Sequence, residues 1–383
     1  MAATSAPVKR REKLRVARLR LAAQGLLTDV PRGSVPAATP AAVVEQLGLM
    51  QAQDLTQACW ALGVRVPGST LADIHAALDS GSIVRSWGAR GTLMFMDPRL
   101  LRPLLSVTAP RMRGQVAAIW RREGITDAEL EGLLPVVVER CGTAGASRAE
   151  LMTMMSDAGS DTAGQRGYHL LMALSLTGEL VQGRMEPGSD TRQLFMASSR
   201  WSPGMAPEPA AVDSVRALED LVLRYFRSHG PATIADCAWW LGLGLTPVRA
   251  ALKSIGHQLA TRVLGRQEYH LAPDVDALWD EAPGANSVLA LPGFDEFLLG
   301  YKDRSATLDP EHADAIAPGG NGVFRRTLVF GGQTIGTWQL DAKGKERSAV
   351  AVPFEVFRAS QLTRSAAAME GYLRFREFPG HVK

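Results

Sequence analysis

Asp295, Glu296, Asp303 and Arg304 form a dense polar cluster. Paired carboxylates hydrolyse sugar bonds, one as acid and the other as base or nucleophile. Phe294, Phe297, Leu298, Leu299 and Tyr301 interleave with these charges. That pattern favours an ion-paired strand and turn packed against a neighbouring unit. Other chemistries are excluded by spacing. Cys59, Cys141 and Cys237 are far apart and form no CxxC, so neither a disulfide framework nor a thiolate zinc site is expected. The seven histidines show no HxxxH or HExxH spacing. No GxxxxGK(S/T) loop is present, and no GxGxxG follows a strand-like run. No metal and no nucleotide or other cofactor is therefore expected.

Phosphate-tracking chemistry is less easily dismissed. The 383-residue chain carries a net charge of only +3, but the charge is unevenly placed. Residues 1–20 hold Lys9, Arg10, Arg11, Lys13, Arg15, Arg18 and Arg20 against Glu12 alone. Residues 98–122 hold Arg99, Arg102, Arg111, Arg113, Arg121 and Arg122 and no acid, while residues 123–161 hold eight acids against Arg140 and Arg148. The small total is a cancellation of blocks, and basic blocks suit either a phosphate backbone or a solvated helix face with a basic arm. Hydrophobic residues make up 46% and charged residues 21%, which excludes a fully disordered chain. No run of about 18 apolar residues and no apolar leader segment occur, so a cytoplasmic protein without a membrane partner is expected.

The elements that must position these residues repeat. Length alone suggests roughly 2.5 domains. In the first stretch Ala17–Leu27 reads as helix, Thr39-Pro40 caps another, a third starts near Gln51, and Thr70-Leu-Ala-Asp73 is a capping box for a fourth. Strands at Ile83–Trp87 and Thr92–Met96 follow. In the second stretch Thr126-Asp-Ala-Glu129 and Ser147-Arg-Ala-Glu150 are capping boxes, Tyr168–Leu176 is a helix, and Leu180–Arg184 and Gln193–Ala197 are strands. In the third, Val215, Leu218, Leu221, Val222, Tyr225 and Phe226 make an apolar stripe. Thr233-Ile-Ala-Asp236 and Thr246-Pro247 cap two more helices, and Leu259–Leu264 and Tyr269–Ala272 form a hairpin. Helices followed by a two-stranded hairpin are the winged-helix arrangement, whose third helix and wing meet duplex DNA. The expected fold is thus α+β, mainly α: a basic arm (1–13), three tandem winged-helix units (14–122, 123–201 and 210–283) and a small β-rich, barrel-like module with a closing helix (284–383). Ser202–Pro209 reads as a linker.

At this point the chain resembles a known family. Arg90-Gly91-Thr92-Leu93, Gly230-Pro231-Ala232-Thr233 and Leu291-Pro-Gly-Phe-Asp-Glu-Phe-Leu-Leu-Gly-Tyr-Lys-Asp-Arg304 resemble the winged-helix DNA-binding family that contains the AlkZ and AlkX bacterial DNA glycosylases. The likeness runs from about residue 14 to about residue 375. It implies three tandem winged helices around a basic cleft, duplex DNA as partner, and removal of bulky N-alkylated purines or crosslinks. It also implies a Gln-x-Gln catalytic motif, which in Leu49-Met-Gln51-Ala-Gln53-Asp54 makes Gln51 and Gln53 the catalytic candidates. One departure stands out: many members carry histidine after the Arg-Gly-Thr-Leu string, where this chain has Met94.

Glutamine suits this reaction. An alkylated purine is already cationic and leaves neutral, so no general acid is needed. A glutamine carbonyl accepts a hydrogen bond from the attacking water and points its negative dipole at an oxocarbenium-like sugar. Residues i and i+2 do not share a helix face, so the pair acts together only at a helix start or in an extended segment. Asp54 is either the helix cap or a base on the same water. Arg90, Arg111, Arg113, Arg166, Arg249 and Lys253 are the candidate DNA contacts, the last two one turn apart on a third helix. Trp60, Trp87 and Trp239-Trp240 read as core, and His169, His257 and His270 as surface residues. The competing expectation is a winged-helix regulator without catalysis.

Overall fold

A computed structural model describes residues 9–27, 38–202, 212–284, 286–320, 322–343, 346–378 and 380–382. The fold is mixed α and β, with about half of the chain helical. Three groups of elements repeat one order. The first has helices Pro40–Leu47, Leu55–Gly63 and Leu71–Asp79 and the hairpin Val84–Trp87/Leu93–Met96. The second has helices Asp127–Cys141, Arg148–Asp157 and Arg166–Ser175 and the hairpin Leu180–Met185/Gln193–Ala197. The third has helices Ser214–His229, Ile234–Leu241 and Leu245–Ile255 and the hairpin Ala260–Leu264/Gln267–Leu271. In each group, backbone between the first two helices pairs with the second hairpin strand: Leu49–Gln51 with Leu93–Met96, Ala146 with Phe195, and Ala232 with His270.

Local chemistry explains the helix starts. Thr70/Asp73, Ser147/Glu150 and Thr233/Asp236 form reciprocal capping boxes, satisfying N–H groups that the first turn leaves free. Thr39 accepts from Ala42 N–H and Thr126 from Glu129 N–H. The expected cap at Thr246 is replaced by a start two residues earlier, with Gly244 at the cap position.

The first two hairpins are not separate. They join edge to edge through Arg85 and Gln182 into one five-stranded sheet, with Leu49–Gln51 at one edge and Gln193–Ala197 at the other. The third hairpin stays two-stranded. The C-terminal part is a curled half-barrel sheet of Val288–Leu291, Arg326–Phe330, Gln333–Lys343, Glu346–Pro353 and Gly380–Val382. Its pairings are antiparallel except the last. The helix Ala359–Phe375 closes it, and Tyr372 packs edge-on against both Trp60 and Trp338.

Several expectations are corrected. The N-terminal helix spans Arg10–Ala23, so residues 10–13 are helix rather than arm. Its Val16 and Leu19 pack with Leu264, Tyr269, Leu271 and Trp279, against the third hairpin. Arg20, counted among the basic groups, is buried: its Nε–H donates to the Pro231 carbonyl at 3.0 Å and its guanidinium lies 3.6 Å from the Tyr301 ring centre. The helix expected near Gln51 starts at Leu55. Most of the linker segment 202–209, and residues 1–8 of the arm, lie outside the described residues. No helix among the described residues is long and apolar enough to cross a membrane.

Candidate active site and nucleic-acid interface

Gln51 ends a short edge strand, opposite Met94, and the chain stays extended beyond it: Ala52 N–H donates to the Leu93 carbonyl at 2.8 Å. Successive side chains of extended backbone point to opposite sides. Gln51 therefore lies on the face of its cross-strand partner Met94, Ala52 is fully buried, and Gln53 falls in the bend that precedes the next helix. Both carboxamides are oriented by donors. Arg90 Nη2–H donates to Gln51 Oε1 at 3.2 Å, and Leu93 N–H donates to Gln53 Oε1 at 3.1 Å. Each carbonyl keeps a second lone pair. The segment itself is clamped: Gln51 N–H donates to Glu296 Oε1 at 2.9 Å, and Arg85 Nη2–H to the Gln53 carbonyl at 3.0 Å.

Asp54 has a structural task. Its Oδ1 accepts from Gln57 N–H and its Oδ2 from Gln57 Nε2–H, both at 3.1 Å, which caps the helix Leu55–Gly63. Gln57 Oε1 in turn accepts Gly293 N–H at 2.5 Å. A Cβ at Gly293 would lie 2.2 Å from the Phe324 carbonyl oxygen, so only glycine permits this approach.

The acidic cluster is a packing hub. Asp295 takes both ends of the Arg65 guanidinium, at 2.8 and 2.9 Å, with both side chains buried. Glu296 sits in a short helix, Glu296–Leu299, rather than a strand. Its Oε2 accepts from Trp240 Nε1–H at 3.0 Å and lies 3.4 Å from His229 Nε2. Burial pushes the His229 imidazole below its ordinary pKa, so the neutral ring donates to the carboxylate. Burial also acts to raise Glu296, but His229, the charge of Arg90 and Gln51 N–H outweigh it and hold the carboxyl below its usual range. The hub joins the glutamine segment, the third group and the C-terminal part in one network.

Beside Gln53 lies a cavity of about 330 Å³, lined by Arg85, Trp87, Arg148, Tyr168, Gln182 and Arg192 among others. Burial lowers the Arg85 pKa to about 10. Trp87 Nε1–H donates to the Tyr168 hydroxyl at 3.2 Å. Met94 pairs across the sheet with both Gln51 and Ser86. The Ser86 hydroxyl is buried and has no partner among the described residues.

Arg90 is the one expected DNA contact that the fold brings to the glutamines. Its φ of +56° is rare for a side-chain-bearing residue, and in that conformation its Nη1–H reaches the Trp240 carbonyl at 2.6 Å. Gly242, itself at φ +68°, lets the Arg90 backbone approach, since a Cβ there would lie 3.1 Å from Arg90 N. Arg111, Arg249 and Lys253 are exposed, and no carboxylate among the described residues pairs with them. Arg113 is half-buried beside Asp127 and Glu131. Arg166 is committed elsewhere: it pairs with the Glu129 carboxylate and donates to the carbonyls of Glu123 and Asp161. Trp60, Trp87 and Trp240 are buried as expected, but Trp239 is 40% exposed. His270 is buried, and His169 pairs with Glu123 at 2.6 Å.

A family model described as DNA glycosylase AlkZ-like matches residues 44–375. The chain belongs to that family. This AlkZ-like glycosylase is 26% identical over 309 residues to the interstrand DNA cross-link repair glycosylase of Streptomyces sahachiroi, covering 78% of this chain and 81% of that protein. The structure of Streptomyces sahachiroi DNA glycosylase AlkZ superposes with a TM-score of 0.76 at 20% identity, over 97% of this chain and 99% of that one. The AlkZ-like chain is accordingly a DNA glycosylase, with DNA as its substrate. Sequence reasoning missed Arg85, which holds the Gln53 carbonyl, and read Trp239, whose ring lies 5.9 Å from Arg90, as core. Arg85 stands in a strand like any core-flanking residue, and Trp239 adjoins a buried tryptophan that masks it.

Proposed function

We propose that this glycosylase hydrolyses the N-glycosidic bond of bulky N-alkylated purines or purine crosslinks in duplex DNA. The three repeated groups are read as winged helices that hold the duplex, with units at 14–122, 123–201 and 210–283 and a C-terminal module at 284–383. The two glutamines two residues apart, each with its carboxamide oxygen pinned by a donor, carry this reading. Gln51 gives one lone pair to a guanidinium, whereas Gln53 gives one to a neutral N–H. Gln53 therefore keeps the stronger negative dipole and holds the water, and Gln51 positions it. The C1′–N bond breaks, its electron pair neutralises the cationic base, the water oxygen bonds to C1′, and its proton passes to solvent. Arg111, Arg249 and Lys253 supply phosphate contacts. The crosslink assignment is supported by the name of the Streptomyces relative.

Incubation with duplex DNA carrying N7-methylguanine or a nitrogen-mustard crosslink tests this. The expected result is an abasic site and free alkylated base. Salt-sensitive binding with no abasic site would favour the non-catalytic regulator instead.

A further inference from the structure

Trp239 is the one exposed Phe, Trp or Tyr ring among the described residues. Its Nε1–H donates to the Leu299 carbonyl at 3.3 Å, which fixes the indole's orientation. Two guanidiniums approach the ring, Arg90 at 5.9 Å and Arg304 at 6.0 Å from its centre. Each is held by a backbone carbonyl, Arg90 by Trp240 and Arg304 by Leu298. Arg304 is also held by Phe324, 5.2 Å away on a ring that meets Phe294. Neither guanidinium has a carboxylate within ion-pair distance among the described residues. The acids that act on them, Glu296 and Asp236, are buried and bonded to other donors. Burial and the charge of Arg90 both push the Arg304 pKa down. Two like charges fixed side by side without a counter-ion are stabilised by a bound anion. A rigid, exposed indole beside them offers a face on which a base can stack. Arg90 also holds Gln51, so this place adjoins the reacting sugar.

We propose that Arg90, Trp239 and Arg304 form a subsite for one unpaired nucleotide of the substrate. The guanidiniums hold its phosphate and the indole stacks on its base. The subsite rests on the glycosylase reading for its purpose, but its test does not depend on turnover.

Full-length protein is titrated onto a duplex with 2-aminopurine opposite an abasic-site analogue, and onto the fully paired duplex. Base stacking on a single aromatic corresponds to about 5- to 150-fold in affinity. Trp239→Ala should lose that much for the unpaired duplex, with little change for the paired one, and should lose the 2-aminopurine quenching that wild type and Trp239→Phe produce. Arg304→Met should flatten the salt dependence of log K by about one unit. Melting curves confirm that each variant folds. Undiminished quenching by Trp239→Ala, or equal weakening on both duplexes, overturns the subsite. A wild type that quenches through Trp239 but leaves N7-methylguanine in place overturns the glycosylase reading and leaves the subsite standing.

Discussion

The Arg90 guanidinium donates to the side-chain carbonyl of Gln51 at 3.2 Å, and its other nitrogen donates to the Trp240 carbonyl at 2.6 Å. One arginine thus fixes a glutamine of the first group against a helix of the third. A misplacement of about 1 Å at a reacting centre costs about 100-fold in rate. Arg90→Ala is therefore expected to slow single-turnover excision by about 10- to 100-fold. DNA affinity should fall only by about one phosphate contact. Arg90→Lys keeps the charge but not the two-pronged geometry, so it should recover affinity more than rate. Equal loss of both in the two variants contradicts a positioning role.

Asp54 caps a helix with both carboxylate oxygens. Asp54→Ala should cost about 1 kcal/mol of stability, and Asp54→Ser should restore most of it. Excision by folded Asp54→Ala should stay within a few-fold of wild type. A loss of about 100-fold in rate with melting unchanged would show that Asp54 activates the water.

Met94, where the resemblance implies histidine, lies between Gln51 and the unpartnered Ser86 hydroxyl. Histidine there can bond to the serine and present a second polar group to Gln51. Met94→His is expected to speed excision by about tenfold, the equivalent of one net hydrogen bond of about 1.4 kcal/mol in the transition state. An unchanged or slower rate would mark the position as packing only.

Stability should depend on pH through buried histidines. His75, His229 and His270 all lie below their usual pKa of 6.5, chiefly because of burial. Below that pH the unfolded chain takes up protons that the folded chain refuses, so stability falls as pH falls. The Glu296 carboxyl lies below its usual 4.5, which adds a second loss at lower pH as it protonates in the fold. The melting temperature should be level from pH 7 to 8, drop between pH 6.5 and 5, and drop again below about 4.5. His229→Gln should flatten the first drop. A melting temperature equal at pH 7 and pH 5 contradicts this.

What the sequence disclosed was local. The capping boxes at Thr70, Ser147 and Thr233 are read from four residues each, and all form. At Thr126 the same signature forms only half a box, because the Glu129 carboxylate turns to Arg166, 37 residues away. The strand Leu49–Gln51 is too short for alternation to show, and its pairing with Met94 is set across the fold. The union of two hairpins through Arg85 and Gln182 is likewise non-local. Trp239 and Trp240 lie about 100° apart on one helix, so only one can face the core, and composition does not say which. The glutamine motif was visible through resemblance; the guanidinium and backbone donors that orient it came from separate segments.

The central claim is that Gln53 holds the attacking water and Gln51 positions it. Single-turnover excision of N7-methylguanine from duplex DNA by wild type, Gln51→Ala and Gln53→Ala, at saturating protein and with binding measured on the same duplex, tests it most directly. The account predicts abasic sites from wild type, a loss of at least about 100-fold for Gln53→Ala, a smaller loss for Gln51→Ala, and DNA affinity within a few-fold throughout. Excision by Gln53→Ala at the wild-type rate would contradict it.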